Sequence, residues 1–197
     1  TGANRKDLNV QNNTSGTGGF THFAETTVPV LYDLNDLDKR RVENLDTTFR
    51  VVQFHKISGD DASCLNLNRI ENPALLGVNA EELSDRFSFA TYSEVADRSD
   101  PWLSLKDTLP GGIVPCIADQ TVIQWGLMMK VGDTLLYQGE AGDTLRLKLI
   151  AGLAPSIFQG YVLIDNAHFL KYFPTHSGTS LFLAEISAET RESVVPD

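Results

Sequence analysis

The sequence predicts an α+β fold in which strands, mostly antiparallel, are joined by short helices. Three observations support this prediction. Apolar and basic residues alternate over residues 145–149, a pattern typical of a strand that is buried on one face. A helix predicted at residues 166–173 is short, because it begins after the capping residue Asp165 and ends before Pro174. Turn-forming residues such as 139–143 separate neighbouring strands at hairpin spacing.

The individual elements follow from short apolar or alternating runs bounded by Gly, Pro, Asn and Asp. Pro29 in the first run predicts an edge or bulged strand, because proline has no N–H to donate. Asn79 and Glu82 have the spacing of a capping box and predict a helix start. The predicted strands are residues 26–32, 48–57, 113–118, 134–138, 145–149, 160–164 and 180–186, residues 74–78 are a short buried run, and the predicted helices lie near 37–45, 79–86, 119–127 and 166–173.

The chain is long enough for one sizeable core, with 197 residues of which 42% are apolar. Residues 1–24 are polar and Gly-rich and predict an irregular lead-in. We expect residues 25–197 to form a single α+β domain, or two lobes at about 25–110 and 111–197 that share one core.

The protein is strongly acidic, with 26 Asp and Glu against 16 Lys and Arg, a net charge of −10. Such a surface repels phosphate backbones, so we expect no nucleic-acid partner. No stretch approaches the roughly 18 apolar residues of a membrane span, and no signal peptide is recognisable. Because the sequence opens on Thr1 without an initiator Met, we expect it to be part of a longer protein.

The two cysteines, Cys64 and Cys116, match no zinc-binding or redox spacing. In an oxidising compartment they could form a disulfide, whose long loop would contribute about 4 kcal/mol on the chain-entropy view. The alternative is two buried thiols that act as small apolar residues.

One set of residues in the sequence is a candidate for catalysis. Cys64 could serve as nucleophile and His55 as base, with Asp60 or Asp61 orienting the base. No recognisable nucleophile motif surrounds Cys64, so a structural cysteine and a structural histidine are the preferred interpretation.

No metal or nucleotide site is expected. The four histidines, at positions 22, 55, 168 and 176, show no pair at helical i, i+4 spacing. Two stretches are rich in Asp, residues 33–38 and 97–100, and neither fits a calcium loop. The turn at residues 16–19 is Gly-rich, but it lacks the following Lys-Ser or Lys-Thr of a phosphate-binding loop.

One loop is predicted to contact a partner. Residues 154–160 join two strands yet carry Ile157 and Phe158, followed by Gln159, where a loop tip is expected. Exposed apolar tips often mark interaction surfaces, and burial under a neighbouring loop is the alternative. Other large apolar residues could also have exposed roles, but most of them are expected in the core; they are Trp102, Trp125, Met128, Met129 and Phe169.

A family resemblance enters in the second half of the chain. The ordered motifs are VPCIAD at 114–119, KVGDTL at 130–135, LRLKLIAG at 145–152 and YVLI at 161–164, with the helix ending in Phe-Pro at 173–174. The stretch DDASCLNLN at 60–68 and the segment SGTGGF at 15–20 extend the match over most of the chain. In these features the sequence resembles the extracytoplasmic domain of FtsX-like and MacB-like ABC-transporter permeases.

The resemblance implies a MacB-type periplasmic core that lies between two transmembrane helices of its own parent chain. The domain would belong to a bacterial inner membrane and face the periplasm or the cell exterior. A separate cytoplasmic ATPase subunit or domain would bind ATP, so no cofactor is expected here and the domain would not be an enzyme. Further partners would be a second permease copy or a periplasmic protein. The alternative from the residues alone is a secreted binding or adhesion module.

Overall fold

A computed structural model of the protein describes residues 4–7, 12–42, 49–59 and 72–186. These residues build one ten-stranded sheet. Its strands are β1 (Asn4–Asp7), β2 (His22–Val30), β3 (Phe49–Ile57), β4 (Ala74–Val78), β5 (Phe89–Tyr92), β6 (Val114–Asp119), β7 (Thr134–Gln138), β8 (Thr144–Leu153), β9 (Tyr161–Asp165) and β10 (Thr179–Ile186).

The sheet is mixed, and its order differs from the order of the chain. The strands follow one another as β1-β2-β10-β3-β4-β9-β6-β8-β5, and β7 pairs with β8 off this path. Two pairs are parallel, β4 with β9 and β6 with β8, whereas the other described pairs are antiparallel. The sheet runs through both of the lobes that the sequence suggested, because β4 pairs with β9 and β5 pairs with β8.

Helical structure is limited to short connections. The α-helices are α1 (Leu37–Val42) and α2 (Asn166–Tyr172), and Asp165 caps α2 by accepting a hydrogen bond from the Ala167 N–H at 2.9 Å. Shorter turns are the 3-10 segments Ala80–Leu83 and Leu103–Lys106 and the π-helical turn Val122–Gly126.

The predicted α+β class, with its MacB-like core, is therefore wrong, and the fold is a predominantly β structure built on a mixed sheet. The helices expected at 79–86 and 119–127 are replaced by turns of four and five residues. Helices much below about 12 residues are marginal on their own. Here the flanking strands are paired, so the connecting segments keep only a single turn.

The sheet separates two apolar clusters, one on each face. On β9, Val162 and Ile164 belong to one cluster and Leu163 to the other, as expected from the alternation of side chains along a strand. Since both faces of the central strands are covered, β4, β6 and β9 are continuous apolar runs rather than alternating ones.

Helix α2 packs closely on β4 through a glycine. A methyl group placed on Gly77 would lie 2.5 Å from the Phe169 ring, so only glycine lets α2 approach the sheet this closely. Phe169 thereby becomes part of the cluster that also contains Cys116 and Ile123.

The predicted lead-in contains ordered structure. Strand β1 pairs with β2 from Asn4↔Glu25 to Asp7↔His22, and residues 12–21 follow as a chain of turns. The Thr21 N–H donates to Ala184 O at 3.0 Å, which fastens the start of β2 to β10. Among the helices of the described residues, none is long and apolar enough to span a bilayer.

Candidate functional sites

His55 lies in β3 and is buried beside the start of β10. Its Nδ1 contacts the carbonyl oxygens of His176 at 3.2 Å and Gly178 at 3.1 Å, and its ring stacks on Phe169 with centroids 5.5 Å apart. Burial lowers the pKa of the imidazole below its usual range, although the two carbonyl contacts oppose the change. These contacts give His55 a packing role.

The proposed partner of His55, Cys64, lies outside the described residues, as do Asp60 and Asp61. The hydrolase hypothesis therefore stays a prediction. Cys116 is fully buried in β6 with a free thiol, and burial raises its pKa far above the usual range. A thiol of this kind is protonated and unreactive. Cys116 carries no disulfide in the structure. The Cys64–Cys116 bond that could form in an oxidising compartment stays a prediction, because Cys64 lies outside the described residues.

The other histidines bind separate partners. His22 Nδ1 contacts Thr21 Oγ1 at 2.7 Å, and His168 Nε2 contacts Asp107 O at 2.8 Å. Within the described ranges, no group of three or more His, Cys, Asp or Glu side chains is arranged to hold a metal ion.

The Gly-rich turn at residues 16–19 packs as a cover on the core. Gly18 and Gly19 have φ angles of 61° and 80°, and a methyl group on Gly18 would lie 2.5 Å from Phe87. Arg86 donates to Gly18 O at 2.8 Å and pairs with Glu185 at 2.6 Å. The Gly18 carbonyl thus accepts a hydrogen bond from the guanidinium of Arg86 in the same chain.

The loop at 154–160 is held from below by a buried carboxylate. Asp119 Oδ2 accepts hydrogen bonds from Ser156 N at 2.8 Å and Ser156 Oγ at 3.0 Å. Phe158 is fully buried against Phe87, with ring centroids 5.1 Å apart, and Ile157 N donates to Gly16 O. Phe158 is therefore a core residue, and the exposure on which the predicted partner contact depended is absent because residues 12–20 cover it.

A partner role for this loop stays a prediction that now depends on Gln159, which is exposed, and on Ile157, which is half-buried.

A polar pocket of about 210 Å³ lies beyond the carboxyl ends of β4 and β9. Its lining includes Glu82, whose pKa is raised by burial and by the nearby Asp33, against the opposing effect of Arg50. Asn35 exchanges two hydrogen bonds with the Val51 backbone, at 2.9 and 2.7 Å. The Asn35 side chain therefore fixes the segment that follows β2 against β3.

A second pocket, of about 300 Å³, lies beside β5 and has an aromatic floor. Phe87 and Trp102 meet edge to face with centroids 5.9 Å apart, and the Trp102 indole N–H donates to Arg86 O at 2.8 Å. Arg98 lies over the Tyr92 ring at its rim, 5.8 Å from the centroid. Phe87 adopts a φ of 65°, which places its ring under Gly18, so packing accounts for this unusual backbone.

The exposed large apolar residues include a Trp and a Met in the connection between β6 and β7. Trp125 is 73% exposed and Met128 is 63% exposed. These two residues are exceptions to the expectation that most of the set lies in the core, whereas Trp102 and Phe169 are buried. Apolar periodicity does not distinguish the two tryptophans, because the chain between Val122 and Leu127 forms a π-helical turn rather than a regular helix.

Comparison with known proteins gives no relative: no described protein family matches the sequence, and no curated protein matches it.

Proposed function

We propose that the chain is the extracytoplasmic domain of an ABC-transporter permease related to the FtsX/MacB type, with the mixed sheet described above in place of a MacB-type core. It acts as a mechanical or substrate-contacting module, and a cytoplasmic ATPase subunit or domain supplies the energy. The sequence motifs at 60–68, 114–119 and 130–135 support the proposal through their resemblance to that family.

The structural observation that supports the proposal best is the position of the first and last strands. β1 and β10 flank β2 at one edge of the sheet, with Glu25 of β2 paired to both Asn4 and Leu181. Both ends of the described chain therefore lie within three neighbouring strands, although the chain enters β1 and leaves β10 at opposite ends of these strands. A domain inserted between two membrane helices needs ends that lie near each other.

The same arrangement suggests how motion would pass through the domain. β10 is hydrogen-bonded to both β2 and β3, and strand pairing continues from β3 across the sheet to β8. Because a packed, hydrogen-bonded sheet resists deformation, displacement of the strands at the β1 edge would move the sheet as one body. β1 and β10 run in the same direction, so one of the two connections to the membrane must turn back along the sheet.

The proposal is tested on the full-length gene product. Its reading frame is expected to encode apolar stretches of about 20 residues on both sides of this chain. For topology, Cys64→Ser and Gly142→Cys are introduced together, which places one thiol in the open turn between β7 and β8, where Gly142 has no neighbour within 4 Å. A membrane-impermeant maleimide should label this thiol in intact spheroplasts.

The matched control carries Cys64→Ser alone and retains, within this chain, only the buried Cys116, which should stay unlabelled. Any cysteine elsewhere in the full-length product is replaced by Ser in both variants. Labelling of the Gly142→Cys variant only after lysis, or a reading frame with a signal peptide and no flanking spans, would overturn the proposal in favour of a cytoplasmic or a secreted protein.

A further inference from the structure

The connection between β6 and β7 is built to hold two apolar side chains in solvent. Val122, Ile123 and Leu127 are buried against the sheet and anchor the turn. Trp125 and Met128, which alternate with these anchors, point outward with most of their surface exposed. Single exposed apolar residues are common on protein surfaces, but these two large side chains lie only three residues apart on one turn.

The backbone of this turn is fixed in an uncommon conformation. The Leu127 N–H donates to Val122 O at 2.8 Å, and the Met129 N–H donates to Ile123 O at 2.9 Å. Met128 has a φ of 55°, in the left-handed region that few non-glycine residues occupy. π-helical turns are rare and occur frequently at functional positions. The two side chains are therefore presented by a pre-organised turn, which lowers the entropic cost of binding.

The charge pattern of the segment differs from that of the rest of the protein. The thirteen residues between Asp119 and Asp133 contain no acidic residue and one basic residue, Lys130, in a chain whose net charge is −10. Asp119 itself is buried and bonded to Thr121 and Ser156. Elsewhere the acidic surface opposes contact with an anionic layer, whereas this turn does not.

We propose that the Trp125–Met128 turn inserts these two side chains into the headgroup region of a phospholipid bilayer. Tryptophan favours this region because its ring is apolar and its N–H is polar, and a neighbouring lysine adds attraction to anionic lipids. Two protruding side chains are far too few for a stable protein interface, which buries more than about 1,000 Å². A fluid surface, in contrast, accepts a small protruding apolar tip.

This inference does not depend on the proposed function. It requires only that the chain meets a lipid surface, whether the chain is tethered by its own membrane helices or encounters the bilayer from solution. The test therefore uses this chain with an artificial tether, so that weak intrinsic affinity does not limit the result.

The test exploits the two tryptophans, of which Trp102 is buried and Trp125 is exposed. The chain with a C-terminal hexahistidine tag is bound to vesicles of phosphatidylcholine, phosphatidylglycerol and a nickel-chelating lipid. Replacing part of the phosphatidylcholine by its dibrominated form should quench Trp125 emission. A Trp125→Phe variant reports the constant background from Trp102 and should show no quenching.

Met128→Gln should lower the ratio of inserted to free turns about tenfold, because a methionine side chain gains roughly this factor or more on leaving water. The matched control is Leu136→Gln, which removes an equally exposed apolar residue from β7. In this variant the brominated lipid should quench Trp125 emission as strongly as in the unmodified chain. Lipid-independent shifts of Trp125 emission that grow with protein concentration would assign the turn to a second copy of the chain.

The inference is overturned by that result, by unquenched Trp125 on tethered chains, or by equal losses in Met128→Gln and Leu136→Gln. These outcomes are separate from those of the topology experiment. A gene without flanking spans would remove the permease proposal and leave bromine quenching unaffected, whereas unquenched Trp125 would leave the topology result intact.

Discussion

Two connections are hydrogen-bonded to the same buried carboxylate, yet one exposes its large apolar residue and the other buries it. Asp119 accepts from the Thr121 N–H at 2.9 Å at the start of the β6–β7 connection, and from Ser156 in the β8–β9 connection. The first connection exposes Trp125, and the second buries Phe158 completely.

The difference arises from what covers each connection. Residues 12–20 lie over the β8–β9 loop, where Ile157 N donates to Gly16 O at 3.0 Å and Phe87 packs between Gly18 and Phe158. In the part of the chain that the structure describes, Trp125 and Met128 remain largely exposed. An apolar residue in a loop therefore does not identify a contact surface until the neighbouring segments are placed.

Phe158→Ala should separate the two connections most clearly. Removing a fully buried ring leaves a cavity in the aromatic cluster, and we expect the free energy of unfolding to fall by about 4 kcal/mol. Trp125→Ala should change it by less than about 0.5 kcal/mol, because little of that side chain is buried. Urea denaturation followed by circular dichroism measures both. Similar losses in the two variants would show that Trp125 is also packed.

Asp119→Ala should weaken both connections together. Three donors lose their acceptor: the half-buried N–H of Thr121 and the buried N–H and hydroxyl of Ser156. We expect the free energy of unfolding to fall by about 3 kcal/mol. The matched control, Asp133→Ala, removes an exposed carboxylate that accepts one bond from Lys130 N, and should cost about 1 kcal/mol or less.

Limited proteolysis of the Asp119→Ala variant should reveal new cleavage in both connections. Cleavage in one connection alone would indicate that Asp119 does not couple them.

Gly18→Ala should loosen only the covered connection. The new methyl group meets Phe87 at 2.5 Å in a backbone with φ of 61°, so we expect a loss of about 2 kcal/mol from strain and overpacking together. Gly142→Ala provides the matched control. It has a φ of 83° but open space around it, so it should lose only the backbone contribution of about 1 kcal/mol.

The measurement is again urea denaturation, combined with ¹⁹F NMR of fluorophenylalanine at Phe87 to locate the disturbance. Equal losses in the two glycine variants would mean that residues 12–20 do not press on Phe87, and the cover would then not explain why Phe158 is buried.

Most strands were predictable from the sequence, and the physical reason is visible in the ones that were missed. β9 and β4 are apolar runs that the sheet buries on both faces, and such runs are evident without a structure. β1 is the polar segment NRKD, and β5 is the four-residue run FATY at the edge of the sheet. Neither segment has an apolar–polar alternation long enough to indicate a strand. Each is a strand because it pairs with one neighbour, β1 with β2 and β5 with β8.

The candidate sites were less accessible to sequence reasoning than the strands. The loop around Phe158 carries the residue types of a contact surface, yet a segment about 140 residues earlier in the chain covers it. Trp125 follows apolar residues that suggest a helix, and only the π-helical turn places it outside. One sequence signal was available for that turn, namely the absence of acidic residues between Asp119 and Asp133.

The place of β10 in the sheet has a consequence for biosynthesis. β10 is the last described strand to leave the ribosome, yet it lies between β2 and β3, which are made among the first. Until residues 179–186 emerge, β2 and β3 each present an unpaired edge to other nascent chains, and such edges promote aggregation. Translation that stops before Thr179 should therefore yield an insoluble product, so a viable truncation of this protein must retain β10.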